Sequence, residues 1–158
     1  MIRELCDKVV SLTYSELPVP LIDRARQLFL DGLAVAIAGT EERAVQLLAH
    51  HYREYEARPV ATVLGLGFRT AVPCAAALNG AAMHVLDFEP MWSPANHAVS
   101  TTLPAVLALA ETHHTEGREI LTALVKGIEI QGWIRQAGHA AALSGEIFHP
   151  PGVGPLTP

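Results

Sequence analysis

An all-α fold is predicted by three features of this sequence. Apolar residues recur at intervals of three and four from Ile2 to about Ala141, extended alternation is confined to one short stretch, and proline or glycine punctuates the periodic segments. With 158 residues, 50% of them hydrophobic and 17% charged, the chain is the size of one domain and too apolar for a disordered tail. It is read as a single unit, 1–158, with neither internal repeats nor a linker.

The first helix follows Ile2, Leu5, Val9 and Leu12 and is expected to end near Tyr14, before Pro18-Val19-Pro20. The second begins at Pro20, carries Ile22, Ala25, Leu28, Phe29, Leu33 and Ile37 on one stripe, and meets a stop at Gly39. Thr40 is expected to cap the third helix, with acids in its first turn and Val45, Leu48, Tyr52 and Tyr55 on its apolar face. The stretch 59–68 reads as a connector in which Val60–Leu64 is a possible short strand without an evident partner.

Residues 71–86 are almost all small or apolar, the signature of a helix buried on every side. A loop containing Pro90 and Pro94 follows, and then an apolar helix over about 98–113, with Pro104 a candidate kink. Gly117 opens a last helix with Ile120, Leu124, Ile128 and Trp133 on one side, where Gly127 and Gly132 permit close neighbours. From Gly145 onward glycine and proline prevent a continuous helix, and this end is expected to belong to a longer parent.

The formal charge of −5 gives no footprint for nucleic acid or an anionic membrane, and no apolar run approaches the roughly 18 residues of a membrane span. Cys6 and Cys74 form no metal or redox spacing, and the first residues mix acids with bases, unlike a signal or transit peptide. A cytoplasmic location is expected. Gly65-Leu66-Gly67 is too short for a dinucleotide fingerprint, Ser100 lacks a nucleophile elbow, and Cys74 lacks a local basic partner; both of the latter read as packing residues. The pairs His50-His51 and His113-His114 point about 100° apart on their helices and read as solvated.

Three titratable residues sit in or beside proline- and glycine-shaped backbone: Asp87, His97 and His149. A carboxylate and two imidazoles can share proton transfer near neutral pH if the fold unites them. Each also has a plain structural role available: Asp87 accepting backbone N–H groups, His97 capping its helix, His149 lying in a tail. The same three side chains match a two-histidine, one-carboxylate metal set, although their spacing is not diagnostic.

The runs Asn79-Gly80-Ala81-Ala82-Met83-His84-Val85-Leu86-Asp87-Phe88, Trp92-Ser93-Pro94-Ala95-Asn96-His97 and Leu103-Pro104-Ala105-Val106-Leu107-Ala108-Leu109-Ala110-Glu111 resemble the MmgE/PrpD family, which includes 2-methylcitrate dehydratase and cis-aconitate decarboxylase. Gly127-Ile128-Glu129-Ile130-Gln131-Gly132 and Phe148-His149-Pro150-Pro151-Gly152-Val153 continue the resemblance in order and approximate spacing, and the pattern is most similar to the decarboxylase branch. The resemblance implies a helical, bundle-like N-terminal domain, usually followed by a lid domain. Between the two it places a site without metal or other cofactor, acting on di- or tricarboxylates.

By position, the resemblance makes Asp87, His97 and His149 catalytic candidates and places Met91 and Trp92 at the substrate. Met91 stands where decarboxylase-like members usually carry Thr, and Glu89-Pro90 replaces a commonly acidic pair. The family's lid and its basic clamp would follow Val153, where this sequence has only Gly154-Pro155-Leu156-Thr157-Pro158. The expectation is therefore a lyase-type chain in incomplete form, with a small-molecule carboxylate as partner. A homodimer is also expected, because helices 71–86 and 98–110 would lack part of their cover. The alternative is a non-catalytic helical association protein that keeps the family core.

Overall fold

The computed structural model describes residues 2–93 and 96–143, and helices dominate them. The elements are α1 (Ile2–Ser11), a 3₁₀ turn (Tyr14–Glu16), α2 (Val19–Gly39), α3 (Arg43–Arg53), β1 (Ala61–Val63), β2 (Phe68–Thr70), α4 (Val72–His84), α5 (Ala98–His113) and α6 (Gly117–Leu143). His149 and the glycine- and proline-rich end lie outside the described residues.

Helices α4 and α5 form the centre, packed on each other, with α2 against α4 and α6 against α5. One core joins Val45 and Ala49 of α3, Ala61 and Val63 of β1, and Ala75, Leu78 and Ala82 of α4. A second joins Ala36, Met83, Val99, Leu103, Leu124 and Ile128 across α2, α4, α5 and α6. Small residues on the central helices allow this proximity, and fully burying each Leu or Met is worth about 1.5–3 kcal/mol.

Leu78 and Met83 of α4 and Leu103 of α5 are fully buried, while Ala77 of α4 and Ala105 and Leu109 of α5 are exposed, so the cover of the two central helices is partial. Other exposed large apolar side chains include Val10 of α1, Leu30 of α2 and Leu47 of α3.

Three local expectations are corrected. Helix α1 stops at Ser11, earlier than Tyr14, because Thr13 opens a new turn in which its N–H and Oγ1 both donate to Glu16 Oε2, each at 2.7 Å. Those hydrogen bonds from Thr13 hold the Glu16 carboxyl below its ordinary value. Thr40 closes α2, its hydroxyl donating to the Ile37 carbonyl at 2.7 Å, while α3 begins only at Arg43.

The connector contains an antiparallel hairpin, because β2 supplies the partner missing from Val60–Leu64, with Ala61 opposite Thr70 and Val63 opposite Phe68. Gly65 and Gly67, at φ of 70° and 68°, make the reversal. A two-stranded sheet alone is marginal. Here Asn79 of α4 accepts from Leu64 N–H at 2.8 Å and donates to Thr62 O at 2.9 Å, while Glu111 of α5 accepts from Thr62 N–H at 3.0 Å. Side chains of the central helices thus satisfy polar backbone groups of β1.

Candidate active site

The stretch that follows α4 returns to the start of α5, where Glu89 meets Ser100. Asp87 turns it: its φ is 55°, the left-handed region that Asp tolerates, and its N–H donates to the His84 carbonyl at 2.9 Å. The following Glu89 is drawn inward and its side chain is 0% exposed.

A buried carboxylate is costly unless its oxygens are engaged. Glu89 Oε2 accepts from Ser100 N–H at 2.7 Å, while Oε1 faces Ser100 Oγ, His97 Nδ1 at 3.0 Å and His84 Nδ1 at 3.3 Å. Ser100 lies in the first turn of α5, where backbone N–H groups have no partner within the helix. Glu89 therefore caps α5 from eleven residues away, with its charge at the positive end of the helix dipole.

His97 precedes α5 and makes no side-chain cap; its ring faces Glu89. An ionised carboxylate only accepts, so the hydrogen-bond network assigns the donating N–H of both His84 and His97 to Nδ1. The His97 Nε2 atom then looks outward, 3.7 Å from the Asp87 carboxylate, whose side chain is 77% exposed. The His84 and His97 rings meet edge to face, with centroids 4.5 Å apart.

The structure thus brings Asp87 and His97 together. It adds His84, Glu89 and Ser100, which the sequence reading had not placed in the site. Ser100, read as packing, binds Glu89 through both its amide and its hydroxyl. The available signal was the loop carboxylate at 89 between histidines five residues before and eight after it.

Met91 is 52% exposed. Trp92 lies partly buried against the second core, and Gly132 of α6 leaves room for it, since a Cβ there would stand 2.6 Å from the indole. Asn96 is buried, and its amide donates to Gln131 Oε1 at 3.4 Å; Thr101 Oγ1 donates to the same oxygen at 2.8 Å. Helix α6 thereby anchors the start of α5 and the end of the loop. A separate groove of about 550 Å³, lined by Tyr14, Arg118 and Lys126, contains none of the histidine cluster.

Among metal-capable groups, one ligand atom each from His84, Glu89 and His97 lies within 4.8 Å of the others. Chemically, the arrangement offers an imidazole nitrogen turned outward beside a solvent-facing acid, on a ring held from behind by a buried carboxylate.

The MmgE/PrpD N-terminal domain matches residues 3–154, nearly the whole sequence. The chain belongs to the MmgE/PrpD family. Among its relatives are the cis-aconitate decarboxylases of Mus musculus, 33% identical over 138 residues, and of Homo sapiens, 32% identical over the same length. Each alignment covers 84% of this chain and 28% or 29% of the relative. A cis-aconitate decarboxylase-like protein oryM of Aspergillus oryzae is 31% identical over 154 residues, covering 92% of this chain and 32% of the relative. The chain spans less than a third of the length of these curated family members.

Proposed function

We propose that this chain forms the helical part of a lyase site for di- or tricarboxylates of the cis-aconitate type, in which His97 handles the proton. The observation that carries this reading is the placement of His97 between buried Glu89 and exposed Asp87, at 3.0 Å and 3.7 Å. The cis-aconitate decarboxylase names of several relatives support the choice of substrate class.

Loss of carbon dioxide from such an acid leaves an electron pair that must be met by a proton, and dehydration requires a proton to leave carbon beside a carboxylate. An imidazole that exchanges protons near neutral pH serves either step. Glu89 fixes the ring and keeps Nδ1 occupied, so proton exchange with substrate falls to Nε2. Asp87 stands where it can accept from a protonated Nε2. His149, outside the described residues, is the second histidine of this reading, and Met91 lies beside the substrate.

The test is conversion of cis-aconitate to itaconate and carbon dioxide by this chain and by a version extended with the region found in its longer relatives. Product from the extended version, lost in His97→Ala, is the expected result. Undiminished turnover by His97→Ala would overturn the reading.

A further inference from the structure

His84, Glu89 and His97 have a second capacity that goes beyond the proton chemistry above. We propose that these three side chains bind a zinc-class divalent cation through His84 Nδ1, Glu89 Oε1 and His97 Nδ1. The separations of Glu89 Oε1 from the two nitrogens, 3.3 Å and 3.0 Å, are close to the spacing of about 3.3 Å between neighbouring ligands on a tetrahedral zinc ion. Two imidazoles and one carboxylate suit zinc and its first-row neighbours, and leave room for water in the remaining positions.

The surroundings match what such ligands need. A histidine that ligates through one nitrogen ordinarily donates its other N–H to an acceptor, and Asp87 stands 3.7 Å from His97 Nε2. The Ser100 amide holds Glu89 Oε2, while Oε1 is turned toward both rings and also accepts from the Ser100 hydroxyl, which would share that oxygen with the cation. His84 is 36% exposed, which gives a cation a way in from solvent. This set differs from the Asp87, His97 and His149 combination considered from sequence: Asp87 becomes the outer partner, and the buried Glu89 takes its place.

Binding exchanges a proton arrangement for a metal one. In the hydrogen-bonded form both imidazoles carry their proton on Nδ1. To ligate, each neutral ring gives that proton to water and takes one from water at Nε2, so no net proton leaves. The His97 N–H then faces Asp87, and Nε2 no longer has a free electron pair. A zinc-loaded chain consequently cannot accept a substrate proton at that atom, and the cation acts as an inhibitor of the reaction proposed above.

Calorimetric titration of the tag-free 158-residue chain with zinc sulfate, and absorbance titration with cobalt(II), test the site without any substrate. One ion per chain with tetrahedral cobalt bands is expected, lost in His84→Gln and in Glu89→Gln and weakened about tenfold in Asp87→Asn. Circular dichroism checks that the variants keep their helices. If Glu89→Gln does not fold, the partly exposed His84→Gln decides. Absence of saturable binding by the unsubstituted chain, or unchanged stoichiometry and affinity in His84→Gln, would overturn the proposal. Neither result bears on whether His97 is needed for turnover.

Discussion

Glu89 organises the candidate site although it is the residue furthest from solvent there. Its carboxylate meets two imidazoles, a hydroxyl and a backbone amide. Replacing it by Gln presents an NH₂ group to donors that need an acceptor. Hydrogen bonds to charged groups contribute about 1.5–3 kcal/mol each, so Glu89→Gln should lose at least about 2 kcal/mol in urea unfolding. His97→Ala should act mainly on turnover: a fall of about 10²–10⁴ in the extended version, with a stability loss of about 1.5–3 kcal/mol from its hydrogen bond to Glu89. Asp87 and His97 were legible as candidates because helix-breaking residues and the family resemblance marked them. Glu89 and Ser100 were not, because a cap supplied from eleven residues away leaves no short-range pattern.

At the scale of elements, the helices were legible wherever one apolar stripe persisted through several turns, as in α2 and α6. The hairpin was not, because its two strands have three residues each and its support comes from Asn79 and Glu111 on distant helices. Thr40 misled for a related reason: its hydroxyl can serve a helix end as well as a helix start, and tertiary packing chose the former.

Helix α6 gives a sharper test. Gly132→Ala gains about 1 kcal/mol in helix propensity, but its Cβ would stand 2.6 Å from the Trp92 ring. Overpacking costs about 1–3 kcal/mol, so net destabilisation and a changed tryptophan emission spectrum are expected. The turn after α1 has its own pH signature. The Glu16 carboxyl is held low by Thr13, so its contribution to stability is present above the unfolded value and is lost as pH falls through the lowered folded value. Chemical denaturation across the acid range should therefore show a weaker pH dependence in Glu16→Gln.

For the molecule as a whole, the core centres on α4 and α5 and leaves apolar side chains outward on α1, α2, α3 and α5, including Val10, Leu30, Leu47 and Leu109. Apolar exposure of this kind favours association, and light scattering at micromolar concentration should give a mass above the 16.9 kDa of one chain. The same packing sets the end of α4 and the start of α5 side by side, so that a loop of modest length can drop one carboxylate between two histidines.

The claim on which the functional account turns is that Glu89 fixes His97 with its proton on Nδ1 and its Nε2 turned outward. Long-range ¹H–¹⁵N correlation of the imidazole nitrogens in the metal-free 158-residue chain near neutral pH measures this directly. His97 Nδ1 is expected to show a protonated nitrogen signal with a downfield, slowly exchanging proton that disappears in Glu89→Gln. A neutral His97 protonated on Nε2, with Nδ1 free and indifferent to Glu89→Gln, would contradict it.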